Sequence, residues 1–457
     1  MSGVDGRPGR PDGPEGGEEW HPGPGSLVIL GHGCEHRWSE EGGLPVLHDQ
    51  FSDGLLEAAR ARGLEAGHLA IGRPPPLPPS LRVRIATLHG GDAGDLLETL
   101  RREWRSWRGT IRFPEHRGVS IDDPLDRLVE SILPHLPAKA AEAAAMDAFC
   151  ARHHPAAVVS THLVTSFRHL IAPIRRHGAL AIGIAIGCDS QEHFLRGLRD
   201  PESGCPAPDL ISLWGPALSD ALLARGPLGA PVVATGRARH DRFARARPAP
   251  PDPAFLRALG LPTGVERLVV FADVLRTTIG VPIVTPATAR RLLATILRAL
   301  EGRPGLHALY KPWRGDDLDA VRRLVAEVGD PKLHVLDPDF VPFHNVELLR
   351  HAATVISSPT SLLAEFASLG GRPIALALPE TVSYLGRNVE RVFAGVAEFV
   401  RAESEFEAVL ERVLSDPGGA SPERDLALAA GFGPPDGRSG DRLIEAIART
   451  RENSTRP

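Results

Sequence analysis

VISSPTSLLAEFASLGGRPIAL, residues 355 to 376, is the stretch that decides the fold. An apolar run typical of a strand ends in a cluster of hydroxyl residues, and a helix-like segment that carries Glu365 follows it. A Gly-Gly-Arg-Pro break then leads into a second apolar run. This order predicts a strand, a helix and a parallel strand. Because ligands of open α/β sheets bind at the carboxyl ends of the strands, the hydroxyl cluster predicts a binding site.

The same alternation of strands and helices runs along the rest of the chain in two series. The first begins at SLVILG, residues 26 to 31, and the second restarts at ERLVVFAD after a proline-rich segment. We therefore predict an α/β protein with two Rossmann-like domains that face each other across a cleft. The predicted parts are a disordered Gly/Pro-rich leader (1–25), an N-terminal domain (26–244), a Pro-rich hinge (245–253), a C-terminal domain (254–433) and a C-terminal helix and tail (434–457).

Two finer expectations concern the N-terminal domain. The Ala-rich segment near residues 124–153 predicts one long helix, and the residues between 32 and 50 predict a long loop. Both expectations are made from periodicity and composition alone.

Composition narrows the class of protein. The chain has 457 residues, 42% of them hydrophobic, and a net charge of −5, which gives no global electrostatic case for nucleic-acid binding. The four cysteines form no CxxC pair, so a disulfide framework or structural zinc site is not expected, and a reducing cytoplasm fits better. Neither a membrane-spanning run nor a secretory signal is expected.

The hydroxyl cluster suits a phosphate group. A helix that begins near residue 360 presents unpaired backbone N–H groups and the positive end of its dipole, and both favour anions. The short donors beside it are Ser357, Ser358, Thr360 and Ser361. Glu365, about one turn in, is able to accept hydrogen bonds from two ribose hydroxyls. The alternative is ordinary helix capping with a solvated glutamate.

Two motifs together carry a resemblance to a known family. ELLRHAATVISSPTSLLAEFASLGGRPIAL (347–376) and the upstream LHALYKPWRGD (306–316) resemble the nucleotide-binding region of GT-B glycosyltransferases. Bacterial surface-polysaccharide and teichoic-acid-type transferases are the nearest in pattern, with non-hydrolysing UDP-GlcNAc 2-epimerases as relatives. The chain departs from that pattern at Lys311-Pro312-Trp313, where the family has Lys-x-His-Pro.

The resemblance implies an acceptor domain at the N-terminus and a nucleotide-donor domain at the C-terminus. It implies a glycosyltransferase that moves a sugar from a nucleotide-activated donor to a glycan, lipid-linked or small-molecule acceptor in bacterial polysaccharide biosynthesis. Carried over by position, Ser357, Ser358 and Ser361 contact the diphosphate, Glu365 holds the ribose, and Thr360 is a further donor-binding residue. The further donor-binding positions are Arg276, Thr277 and Thr278. Lys311 offsets the charge of the phosphates.

Acceptor activation needs a base from the N-terminal domain. His32 and Glu35 follow the first strand, and His32 is the first choice. A second candidate set follows the strand ALAIGIAI and consists of Asp189, Glu192 and His193. His162 and Arg168 are further residues that line the expected cleft. The alternative for each is a polar surface loop.

Metal-independent chemistry is expected. Asp337-Pro338-Asp339 matches a DxD pattern, but a turn is the preferred interpretation in a GT-B-like chain. No cofactor is expected beyond the nucleotide-sugar donor, which is a substrate. Residues 101–117 interleave arginine with tryptophan, so peripheral membrane contact is considered, with an ordinary amphipathic helix preferred. A cytoplasmic location is predicted, and the pattern fixes no oligomeric state.

Three other functions stay open. A UDP-sugar 2-epimerase would use the same nucleotide pocket for proton abstraction and elimination. A CDP-glycerol-type phosphotransferase is weakened by the absent histidine. A catalytically inactive GT-B-shaped binding subunit is the non-enzyme alternative.

Overall fold

The structure of the protein is a computed structural model. The residues it describes are 20–32, 36–41, 44–49, 54–72, 85–88, 94–110, 122–185, 206–224, 226–272, 277–278, 281–282, 285–312, 318–336, 345–379, 388–416, 418 and 421–454. They form two lobes, each built on a parallel sheet.

The sheet of the N-terminal lobe has seven parallel strands in the order β5-β4-β1-β6-β7-β8-β9. Its strands are β1 (Leu27–His32), β4 (Ala66–Ile71), β5 (Ile85–Leu88), β6 (Ala157–Ser160), β7 (Leu180–Ile184), β8 (Leu210–Leu213) and β9 (Val232–Ala234). A separate antiparallel hairpin consists of β2 (His36–Glu41) and β3 (Leu44–Asp49). The strand order reverses between β1 and β6, as in a doubly wound sheet.

Helices cover this first sheet. In chain order they are α1 (Leu55–Ala61), α2 (Gly94–Arg108), α3 (Asp122–Ile132), α4 (Leu136–His153), α5 (Ile171–Arg176), α6 (Pro216–Leu223) and α7 (His240–Arg245). Short 3-10 turns occupy Leu133–His135, His162–Val164 and Arg168–Leu170.

The sheet of the C-terminal lobe has six parallel strands in the order β14-β13-β10-β15-β16-β17. Its strands are β10 (Arg267–Ala272), β13 (Leu306–Lys311), β14 (Leu333–Val335), β15 (Ala352–Ser357), β16 (Ile374–Leu376) and β17 (Glu398–Val400). A two-residue ladder joins β11 (Thr277–Thr278) to β12 (Val281–Pro282). Here the order reverses between β10 and β15.

The remaining helices follow in the second half of the chain. They are α8 (Pro253–Ala258), α9 (Pro286–Ala299), α10 (Leu318–Val328), α11 (Asn345–Arg350), α12 (Ser361–Ser368), α13 (Asn388–Phe393), α14 (Glu403–Ser415), α15 (Pro422–Phe432) and α16 (Ser439–Ser454). No helix in these described ranges is long and apolar enough to cross a membrane.

Alternate residues of the central strands build the cores on both faces of each sheet. In β10, Val269 and Phe271 join the outer core of the C-terminal lobe, whereas Leu268 and Val270 join a core that also contains Leu213 and Trp214 of the other lobe. Successive strand residues point to opposite faces, so a sheet covered on both sides is apolar throughout. One continuous core therefore joins the lobes.

The C-terminal helix returns to the N-terminal lobe. α16 packs along α1, and Leu443 and Ile444 join the core under β1 and β7. Its first turn is capped by α7, because the Asp241 carboxylate accepts hydrogen bonds from the backbone N–H groups of Ser439 and Gly440, both at 2.8 Å. The chain thus crosses between the lobes twice.

Two sequence expectations about local structure are wrong. The segment near 124–153 forms two helices, α3 and α4. Pro134 lies in the 3-10 turn that separates them, and Pro137 is the second residue of α4. A proline lacks the N–H that a continuous helix would need at these positions. The region between 32 and 50 holds the β2–β3 hairpin, although a loop was expected.

Candidate functional site

The hydroxyl cluster follows the strand at which the C-terminal sheet reverses its order. Ser357 ends β15 and is paired with Ala272, the last residue of β10. On the other side of β10, Ala272 is paired with Lys311, the last residue of β13. Lys311 and Ser357 therefore stand at the same edge, about 10 Å apart at the usual strand spacing. Ligands of doubly wound sheets bind at this edge, in the crevice at the reversal.

Only part of the hydroxyl cluster faces outward. Thr360 and Ser361 are half-buried, whereas Ser357 and Ser358 are almost fully buried at 0% and 1% exposed. The hydroxyls of Ser357 and Thr360 lie 3.3 Å apart. α12 begins at Ser361 after an extended Thr360, so the backbone N–H groups of its first turn are directed toward the end of the helix at which these hydroxyls lie. A phosphate would reach the first two serines only if the groups that cover them moved.

Glu365 is placed differently from the expectation of a residue open to a ribose. Its side chain is 2% exposed. One carboxylate oxygen, Oε1, lies 3.2 Å from Nε of Arg239 and 3.8 Å from Nη1 of Arg237. The other, Oε2, accepts a hydrogen bond of 2.9 Å from the Asn345 amide. Ribose binding by Glu365 stays a prediction, and it would require that these contacts be exchanged.

The two arginines were not singled out from the sequence. Both lie in the segment that leaves β9, and their side chains are 5% and 10% exposed. The Arg237 guanidinium stands over the ring of Trp214 at 4.7 Å, a cation–π contact. Trp214, fully buried, donates a hydrogen bond from Nε1 to the Ala185 carbonyl. The available signal was the run RARHD directly after the apolar, strand-like stretch PVVATG (231–236), since ligands of α/β sheets bind at strand ends.

His240 lies in the same interlobe segment. Its ring packs against Trp214, Phe243 and Phe432 at centroid distances of 5.6, 6.4 and 6.2 Å. Burial, and then the charges of Arg237 and Arg239, hold the pKa of this imidazole well below its ordinary value of 6.5. Within the described residues its Nε2 has no hydrogen-bond partner. His240 is therefore a neutral side chain at neutral pH.

The N-terminal lobe brings two histidines together at its own strand-order reversal. His32 ends β1 and His162 follows β6, and these strands are neighbours. Their rings meet edge to face at 4.7 Å, and Phe167 touches both, at 4.5 and 4.9 Å. Nδ1 of His162 lies 3.3 Å from the Ser166 hydroxyl. The predicted base His32 thus stands beside His162 at the carboxyl edge.

Several predicted positions lie outside the described residues. They are Glu35, Asp189, Glu192, His193, Arg276, Asp337 and Asp339. Thr277 and Thr278 form β11, but their side chains are not described. In the described part of the chain, no group of three or more His, Cys, Asp or Glu side chains could hold a metal ion.

No family model matches the sequence, and no curated protein matches it. Solved structures do match its fold. The UDP-GlcNAc 2-epimerase from Methanocaldococcus jannaschii gives a TM-score of 0.54 at 9% identity, covering 93% of this chain and 99% of its own. A candidate UDP-N-acetylglucosamine 2-epimerase from Listeria monocytogenes gives 0.54 at 13%, with 95% and 98% covered. The S. aureus MnaA–UDP complex gives 0.52 at 11%, with 95% and 99% covered.

The chain has a GT-B fold. The two parallel sheets of seven and six strands, with their helices, agree with the expected α/β architecture of two domains. Identities this low establish the GT-B fold alone, so residue roles rest on the geometry described above.

Proposed function

We propose that this GT-B protein binds a nucleotide-activated sugar in the crevice and transfers the sugar to an acceptor hydroxyl. The strand-order reversal of both sheets supports the proposal, since polar side chains follow the strands at each reversal: hydroxyls in one lobe and imidazoles in the other. The acceptor class proposed is a glycan, a lipid-linked sugar or a small molecule.

On the donor side, the proposal uses the start of α12. Its first backbone N–H groups, with the half-buried hydroxyls of Thr360 and Ser361, suit the diphosphate of the donor. Stabilising the departing nucleotide diphosphate lowers the barrier to transfer, because negative charge grows on it as the glycosidic bond breaks.

On the acceptor side, the proposal uses the histidine pair. Imidazole is the side chain whose ordinary pKa lies near neutral pH, so it suits a general base without special tuning. His32 is the proposed base and His162, in ring contact with it, is the proposed orienting residue. A positioned base accelerates such a step by about 10²–10⁴-fold.

The donor half of the proposal is tested by thermal unfolding with UDP, CDP, GDP and dTDP and with their sugars. A ligand that binds the folded state at a hundredfold excess over its Kd stabilises it by about 2.7 kcal/mol. We expect one nucleotide series to raise Tm, and Ser361→Ala to reduce that rise. Ser368→Ala, at the other end of the same helix, is the matched control. If no nucleotide raises Tm in the wild type, the proposal is wrong.

A second candidate is a UDP-sugar 2-epimerase. It is supported by the fold shared with two proteins whose names describe that activity and with the UDP complex of MnaA. Product analysis separates the two reactions, since slow donor hydrolysis or acceptor glycosylation supports a transferase and an isomerised sugar nucleotide supports an epimerase. Binding without turnover would support the inactive subunit.

A further inference from the structure

The interlobe seam contains a buried cluster of charged groups: Arg237, Arg239 and Glu365. The carboxylate oxygen Oε1 of Glu365 approaches both guanidinium groups, at 3.2 Å and 3.8 Å. Asn345 fixes the second oxygen at 2.9 Å, so the carboxylate is held from two sides. The arginines belong to the segment after β9 and the glutamate to α12, so this cluster joins one lobe to the other.

The cluster stands where a ligand of this fold is expected. Arg237 and Arg239 follow the carboxyl end of β9, and Trp214, which stacks on Arg237, follows the carboxyl end of β8. Glu365 lies in the helix that leaves the carboxyl end of β15. Helical side chains lean toward the helix N-terminus, so the Glu365 carboxylate lies close to the first turn of α12. The guanidinium groups are therefore brought beside the hydroxyl cluster.

The chemistry of the cluster suits a phosphate. Guanidinium groups bind phosphate oxygens through pairs of parallel hydrogen bonds, and such bonds are stronger where water is excluded. Stacking on Trp214 and contact with Glu365 fix the orientation of Arg237 and Arg239 before a ligand arrives, so less entropy is lost on binding. Lys311 is half-buried at the end of β13, two strands away from β15. Its ammonium group offers a phosphate a single point charge, in contrast to the paired donors of a guanidinium group.

We propose that Arg237 and Arg239 bind the diphosphate of the nucleotide donor and that Glu365 is the residue that positions the two guanidinium groups. This inference rests on the proposed function, because it names the cations of that same donor site. Because the arginine side chains are 5% and 10% exposed, this proposal requires the contacts of Arg237 and Arg239 with Glu365 to open when the donor binds. Glu365 then acts on the diphosphate through the arginines and makes no contact with the ribose.

The test compares a nucleoside diphosphate with its own nucleoside by isothermal titration. The nucleotide is the one that raises Tm of the wild type in the panel above. We expect Arg239→Met and Arg237→Met each to weaken diphosphate binding by about 10- to 100-fold. Nucleoside binding should stay within about twofold of wild type, and Arg239→Lys should recover part of the loss because it restores one charge.

The matched control is Arg242→Met. Arg242 lies one helical turn further along the same segment and is ion-paired with Glu57 at 2.7 Å, away from Glu365. Its loss should leave both affinities unchanged. Because each variant is judged by its ratio of diphosphate to nucleoside affinity, partial unfolding lowers both values and leaves the ratio intact.

Glu365→Gln separates positioning from ribose binding. A positioning role predicts a smaller loss of diphosphate affinity than either arginine variant shows, with nucleoside affinity preserved. Loss of nucleoside affinity in Glu365→Gln would restore the ribose role and overturn this assignment. Unchanged ratios in both Arg→Met variants would overturn the arginine assignment while the wild type still binds nucleotide. A wild type that binds no nucleotide would instead remove the proposed function.

Discussion

The carboxyl edges of the two sheets share a topology and differ in chemistry. At the N-terminal edge, His32, His162 and Phe167 form a cluster of rings whose centroids lie 4.5–4.9 Å apart. At the C-terminal edge, the hydroxyls of Ser357 and Thr360 lie 3.3 Å apart, and two arginines contact the buried Glu365 carboxylate. One edge carries imidazole rings, and the other carries hydroxyls and ion-paired side chains.

Under the proposed function, the two lobes have different tasks. Permanent charges and helix dipoles stabilise an anionic donor without taking up or releasing protons, whereas acceptor activation requires a group that accepts a proton. Substitutions at the two edges should therefore give different signatures. Those at the N-terminal edge should change turnover, and those at the C-terminal edge should change donor affinity and stability.

The largest expected effect is on turnover at the N-terminal edge. His32→Ala should lower kcat by about 10²–10⁴-fold, because the general base is removed, and should leave donor affinity unchanged. His162→Ala should give a smaller loss. The measurement is the initial rate with the donor found in the nucleotide panel. His153→Gln is the control, since His153 contacts the Pro22 carbonyl and lies away from both histidines. Unchanged kcat in His32→Ala would exclude it as the base.

The next effect is on stability at the C-terminal edge. Glu365→Ala should reduce the free energy of unfolding by about 3–5 kcal/mol, because it leaves buried guanidinium charge without its carboxylate. Glu347→Ala on α11 is the matched control, since that carboxylate is 45% exposed and its pair with Arg350 should contribute less than about 1 kcal/mol. Denaturant unfolding measures both. Equal losses in the two variants would refute the contrast.

The smallest effect is a pH dependence at the seam between the edges. The pKa of His240 is lowered in the folded state, mainly by burial, so the unfolded chain binds this proton first. The stability that neutral His240 contributes is present above the unfolded value of 6.5 and is lost as the pH falls below it. The expected slope is at most about 1.4 kcal/mol per pH unit.

His240→Gln removes that titration. When the pH is lowered from 7.5 to 5.5, the free energy of unfolding should therefore decrease more for the wild type than for the variant. Parallel pH profiles would show that His240 is not the group responsible.

The local sequence pattern was enough to predict the strand, helix and strand around the hydroxyl cluster of the C-terminal lobe. The apolar run before Ser357, the hydroxyl cluster and the Gly-Gly-Arg-Pro break predicted strand, helix and strand, and the structure gives β15, α12 and β16 at those places. The helix expected to begin near residue 360 is observed as Ser361–Ser368. Such accuracy follows because strand and helix periods and a glycine stop are local properties of the chain.

Other features were beyond local pattern. The helix break near Pro134 could be predicted only by giving the two prolines more weight than the Ala-rich composition that favours a continuous helix. The two arginine partners of Glu365 lie 126 and 128 residues before it in sequence, and no period or motif joins α12 to the segment after β9. Exposure of Ser357 and Ser358 was equally undetermined, because it depends on what packs over them.

The sequence by itself determined two α/β units, the strand ends at which reactive side chains stand, and the helix that begins beside the hydroxyl cluster. These depend on hydrophobic periodicity and turn residues, which act over a few positions. Only the tertiary structure decided that His32 meets His162, and that Glu365 faces arginines from the other lobe. Such contacts depend on the order in which distant strands pair and on the packing of one lobe against the other. Neither can be predicted from a short stretch of sequence.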